Sequence, residues 1–181
     1  SDVYKRQGYI AKRLVLRLLD QGHQLVCCVR DLQRIPDEIE SRDHIEFIKI
    51  DFLRPAAVTF PSDIDIAYYL IHSMASSATD FQQLELQCAT YFKKLLEATD
   101  CLQLIYLSGI VNESSLSKHL QSRFAVEKAL QSDQYALTTF RAGIIVGSGS
   151  ASFEIIRDIV EKLPLICLLY TSPSPRDTDL S

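Results

Sequence analysis

The chain has no tryptophan, a single methionine, and only six glycines and six prolines in 181 residues. That sparseness excludes a collagen-like repeat and a disordered low-complexity chain. Its five cysteines (Cys27, Cys28, Cys88, Cys101 and Cys167) include no Cys-x-x-Cys pair, and His23, His44, His72 and His119 are scattered. A disulfide scaffold and a zinc site are therefore not expected, and the thiols read as reduced, mostly buried groups of a cytoplasmic protein. With a net charge of −4 and no Lys/Arg cluster, the chain offers no footprint for nucleic acid or a membrane surface. Its apolar runs are far too short to span a bilayer; that at 64–71 is broken by Asp65. The first residues have no apolar signal-peptide core. What is present is ordinary for a globular protein, 47% hydrophobic and 23% charged, with length for one α/β domain.

Both ends read as foreign to that domain. Residues 2–7 (DVYKRQ) can be written GAT GTG TAT AAG AGA CAG, and the complementary strand, one base out of phase, encodes CLLYTS, which stands at 167–172. Two strands of one oligonucleotide, resembling a library adapter, account for both. The expectation is a non-native tail at 1–7, a partial domain at 8–166 lacking its first strand and a C-terminal substrate lobe, and a second tail at 167–181.

Apolar periodicity then alternates along 8–166. Ile10, Leu14, Val15, Leu18 and Leu19 fall at helical spacing, with Gly22 as a C-terminal cap. Short β-rich runs at 24–29, 45–50, 64–71, 104–107 and 136–140 predict strands. Between them, Asp80 with Gln83 predicts the capped start of a helix, whose face is Phe81, Leu84, Cys88, Tyr91, Phe92 and Leu95. Ser117 predicts the start of another, carrying Leu120, Phe124 and Leu130 to the core. A further helix is expected before Pro164. Strands alternating with helices predict a doubly wound parallel sheet, with 45–50 outside 24–29 and the strand C-termini on one edge, where ligands bind.

That edge carries the chemistry. Gly8 opens the first helix, where backbone can approach a pyrophosphate, and Tyr9 and Ile10 follow in its first turn. Ala11 is small enough for close helix–strand packing. Arg30 and Asp31 lie 22 and 23 residues beyond Gly8 at the end of the next strand. An acid at that spacing takes a ribose 2′-hydroxyl and an arginine a 2′-phosphate; Arg30 with Arg34 favours the phosphate, hence NADP(H) over NAD(H). Leu70 and His72 end the strand beyond, with His72 able to trade protons near neutrality.

Residues 8–14 (GYIAKRL) resemble the second half of the dinucleotide fingerprint of extended and atypical short-chain dehydrogenases. The stretches 67–76 (AYYLIHSMAS) and 141–157 (RAGIIVGSGSASFEIIR) look like the NmrA-like, atypical branch of that superfamily. The resemblance implies a Rossmann-type fold, NAD(P) as cofactor, and Asp51 and Phe52 beside the adenine ring. It implies Ser108 and Lys128 as catalytic positions. The superfamily's Tyr-x-x-x-Lys is absent: four residues before Lys128 stands Phe124, which has no hydroxyl. The leading expectation is an NADP(H)-preferring oxidoreductase on a small carbonyl or alkene substrate. The alternative is a dinucleotide-sensing regulator acting on a protein partner. A sugar-nucleotide-modifying enzyme is the third, disfavoured by the missing tyrosine.

Overall fold

The computed structural model describes residues 8–54, 57–71, 78–109, 118–143 and 147. Chain contacts divide the molecule into Gln7–Gly143 and a second unit made of 1–6 with 144–181, and the architecture below is that of the first. Its order is α1 (Tyr9–Asp20), β1 (Leu25–Val29), a 3-10 turn (Leu32–Arg34), α2 (Asp37–Glu40), β2 (Ile45–Lys49), β3 (Ile66–Tyr69), α3 (Ala78–Leu96), β4 (Gln103–Gly109), α4 (Lys118–Leu130) and β5 (Ala136–Ala142).

Every ladder is parallel, as the alternation of strands and helices requires. β1 pairs with β2 from Leu25↔Ile45 to Val29↔Lys49. β4 lies between β3 and β5, with Leu104 opposite both Ala67 and Leu137. Among the described residues no ladder joins β1 to β3, so the strands form one sheet of two and one of three.

Packing closes that gap from above. The stripe Cys88, Ala89, Phe92 and Leu96 of α3 is buried in a core that also holds Ile50 and Phe52, just past β2, and Tyr69, Leu104 and Tyr106 from β3 and β4. Phe92 is the hub, its ring 5.7 Å from Phe52, 5.8 Å from Phe60 and 5.1 Å from Tyr69. α1 ends where Gly22, at φ 82°, takes the left-handed conformation expected of a cap. It contributes no buried residue.

Several expectations are corrected. α3 already includes Ala78, so Asp80 lies inside the helix and is not its cap. β3 is shorter than 64–71, while β4 and β5 run longer than predicted, to Gly109 and Ala142. Phe124 is 39% exposed and is not a core residue. α4 turns Ser122, Val126 and Leu130 inward instead, a stripe one turn apart that leaves Phe124 on the far side of the helix. Ser117 and the helix before Pro164 lie outside the described residues, as does the side chain of Leu120.

Candidate dinucleotide-binding edge

α1 begins at Gly8 with φ 102° and ψ 16°, a left-handed conformation that residues with a Cβ rarely adopt. Among the described residues nothing lies within 4 Å of where a Cβ would stand, and none of their side chains caps the helix. Its first intrahelical bond runs from the Lys12 N–H to the Gly8 carbonyl (2.7 Å), leaving the N–H groups of Ile10 and Ala11 without a partner inside the helix. That is the arrangement that receives a phosphate. Outward from it, Arg13 stacks over the Tyr9 ring at 4.7 Å, and Lys12 pairs with Glu38 of α2 at 2.9 Å.

The ends of β1 and β2 come next. Arg30 is exposed and forms no ion pair among the described residues. Asp31 is the N-cap of the 3-10 turn, its Oδ1 accepting from the Gln33 N–H (3.2 Å) and its Oδ2 ion-paired with Arg34, 3.3 Å from Nε. After β2, Asp51 Oδ1 accepts from the Leu53 N–H (3.1 Å). Burial pushes the Cys88 thiol up to about 11; Asp51 adds to the rise and Arg30 opposes it. The two strand ends therefore converge on one part of α3. The Phe52 ring, at 7% exposure, packs against Tyr91 and Phe92 inside the core, so only its backbone is left for a ligand at this edge. Leu70 is half-buried at the end of β3, and His72 lies outside the described residues.

Ser108 stands near the C-terminal end of β4, where its hydroxyl is buried with no hydrogen bond of standard geometry among the described residues. Tyr106, two residues earlier on the same face, points its hydroxyl at the Arg123 carbonyl (3.5 Å). Burial raises the Tyr106 phenol, while the Ser108 hydroxyl and Arg123 pull it down. Below them Ser122 donates to the buried carboxylate of Glu85 at 2.6 Å. This polar cluster under β4 was not anticipated. Its one sequence signal is Glu85 itself, a carboxylate set between Leu84 and Cys88 on an otherwise apolar helix face. Lys128 is exposed, with Nζ 4.6 Å from the centre of the Phe124 ring. The lysine thus meets an aromatic face where the short-chain dehydrogenase pattern supplies a phenol.

A polar cleft of about 550 Å³ between Lys93, Glu97 and 131–134 lies at the edge where β4 and β5 begin, away from all these groups. Among the described residues no helix is long and apolar enough to cross a membrane.

No family model and no curated protein matches the sequence. Solved structures match the fold. A Bacillus halodurans protein assigned as an NAD-dependent epimerase/dehydratase aligns with 80% of this chain and 70% of its own length, at 17% identity and TM-score 0.63. MoeE5, in complex with UDP-glucuronic acid and NAD, aligns over 85% of this chain at 14% identity and TM-score 0.65. TunA, an NAD-dependent NDP-hexosamine 5,6-dehydratase involved in tunicamycin biosynthesis, aligns over 83% at 13% identity and TM-score 0.57. The chain spans 57% and 58% of the lengths of these last two. It has their α/β, Rossmann-type fold.

Proposed function

We propose that the protein binds NAD(P)(H) along the edge formed by Gly8, Arg30, Asp51 and Leu70, and acts as an NADP(H)-preferring oxidoreductase of the NmrA-like, atypical short-chain class. The observation that carries the reading is Arg30, exposed and without an ion pair among the described residues just past β1, together with a left-handed glycine at the start of α1. In this arrangement the first turn of α1 holds the pyrophosphate through backbone N–H groups and the end of its dipole. Arg30 receives a 2′-phosphate through charge-assisted hydrogen bonds. The backbone around Asp51 and Phe52 borders the adenine, while Ser108 places a buried hydroxyl beside Tyr106 near the end of β4. The bound dinucleotide supplies hydride chemistry, and the chain supplies position and a route for the proton.

Arg30→Ala tests the reading. Losing one charge-assisted contact is worth roughly 1.5–3 kcal/mol, or about ten- to a hundredfold in affinity. The expected result, by fluorescence titration of the purified protein, is that loss for NADPH with little change for NADH. Equal losses for the two cofactors would remove the assignment of Arg30 and the NADP preference with it.

A second reading has its own observation. Phe124 has no hydroxyl, so the superfamily's proton-shuttling group is missing, which favours a dinucleotide-sensing regulator that passes cofactor state to a protein partner. The same absence weighs against sugar-nucleotide chemistry of the kind named for MoeE5 and TunA. Consumption of NADPH with a panel of small aldehydes, ketones and activated alkenes supports the oxidoreductase. Tight cofactor binding with no turnover across the panel supports the sensor.

A further inference from the structure

An acid one residue beyond Arg30 stands where, in Rossmann-type sites, a carboxylate commonly takes the 2′-hydroxyl of NAD. Both oxygens of Asp31 are instead engaged by its own chain. Oδ1 caps the 3-10 turn by accepting from the Gln33 N–H at 3.2 Å, and Oδ2 forms an ion pair with Arg34, 3.3 Å from its Nε. Arg34 commits only that Nε; its side chain is 78% exposed, against 44% for Asp31. Arg30, next to them in the chain, has no ion pair among the described residues. Among the described residues, then, one of the two guanidiniums at this strand end has no ion pair and the other has one.

Resting on the dinucleotide reading above, we propose that Asp31 is an internal competitor for the 2′-phosphate, which holds Arg34 until that phosphate displaces it. An exposed pair at this spacing is weak, whereas a guanidinium bound to a phosphate makes shorter and stronger charge-assisted bonds, so the exchange runs downhill. With NADH bound, Arg34 stays on Asp31, and only Arg30 of the two guanidiniums is left to face the bare hydroxyl. With NADPH bound, Arg30 and Arg34 both reach the phosphate and the Asp31 carboxylate is left to its turn. The site then accepts both cofactors, Arg30 discriminates between them, and Asp31 limits how tightly NADPH is held.

Asp31→Asn keeps the acceptor for the Gln33 N–H and removes the charge. The test is calorimetric titration of wild type, Asp31→Asn, Arg34→Gln and the double variant with NADPH, NADH and the half-cofactor 2′,5′-ADP, each protein's fold checked by thermal melting. Asp31→Asn is expected to tighten NADPH and 2′,5′-ADP roughly three- to tenfold while moving NADH less than about twofold. The gain should vanish in the Arg34→Gln background, as a double-mutant cycle requires of coupled groups. Weaker NADH binding in Asp31→Asn would make Asp31 the ribose ligand and overturn the proposal. So would a gain that persists without Arg34, which would reduce the effect to general charge, or no change with any ligand. If wild type binds none of the three, the dinucleotide reading itself falls, a result distinct from these.

Discussion

The two halves of the molecule are built from the same kinds of element but packed differently. Around β3, β4 and β5, α3 and α4 bury Tyr69, Leu96, Leu104, Tyr106 and Leu130 to 1% exposure or less. Around β1 and β2, α1 buries nothing, and β1 alternates half-buried with exposed residues. In that half only Ile39, Ile50 and Phe52 are core residues among those described, and the last two reach across to α3. Most of the proposed cofactor contacts (Gly8, Arg30, Arg34 and Asp51) fall on the loosely packed half, whereas Leu70, Ser108 and Lys128 belong to the dense one. The proposed binding surface is assembled from backbone ends and solvated side chains, and the densely packed half lies beside it.

The largest expected effect tests whether that difference is energetic. Leu104→Ala in the centre of β4 should cost about 3–5 kcal/mol in chemical denaturation, the usual figure for a fully buried leucine. Leu18→Ala on half-exposed α1 should cost about 1 kcal/mol. Equal costs would mean that α1 is packed as well as β4.

An intermediate effect concerns alkali, and it belongs to the dense half. Burial pushes the Tyr135 phenol up to about 12 from an ordinary 10, with Glu97 and Cys101 adding to the rise, and its hydroxyl donates to the Leu130 carbonyl at 2.7 Å. A folded-state value above the unfolded one contributes stability that is complete below pH 10 and lost as pH rises through about 12. That contribution is of the order of 2–3 kcal/mol. Denaturation at pH 9 and pH 11.5 should show wild type losing about 2 kcal/mol more stability than Tyr135→Phe, most of that contribution, since pH 11.5 still lies below the folded-state value. Identical losses would mean that this phenol is not what makes the dense half sensitive to alkali.

The smallest effect is at Phe124. An exposed ring under a lysine contributes about 0.5–1 kcal/mol. Phe124→Ala should therefore lower stability by no more than about 1 kcal/mol, and Phe124→Tyr should leave the melting temperature nearly unchanged. A loss of 3 kcal/mol or more from the alanine variant would return the ring to the core.

Much of this was legible in residue order. Alternating β-rich runs and helical periodicity predicted parallel strands with helices between them, because a period of two and a period of 3.6 each bury one face. The pairing of β1 with β2 followed from the usual order of such sheets. Gly22 announced its left-handed backbone, since glycine adopts one without strain, whereas at Gly8 only the opening of a helix was legible. The spacing of Arg30 and Asp31 from Gly8 placed them at the end of a strand.

Other features came only with the tertiary structure. Phe124 looked like core because it recurs at helical spacing with Leu120 and Leu130, but which stripe of a helix faces inward is decided by what it packs against. Against α4 the partners are α3, with its buried Glu85, and β4, so Ser122 and Val126 turn inward and the ring turns out. The Phe52 ring likewise entered the core because aromatic residues of α3 were waiting there. The role of Asp31 turned on which donors its two oxygens met, a matter of ångströms that no residue spacing encodes. Local backbone preference and periodicity are properties of a short stretch of chain, and the sequence determined those by itself. Burial and partnership are properties of pairs distant in the chain, and only the packed structure decides them.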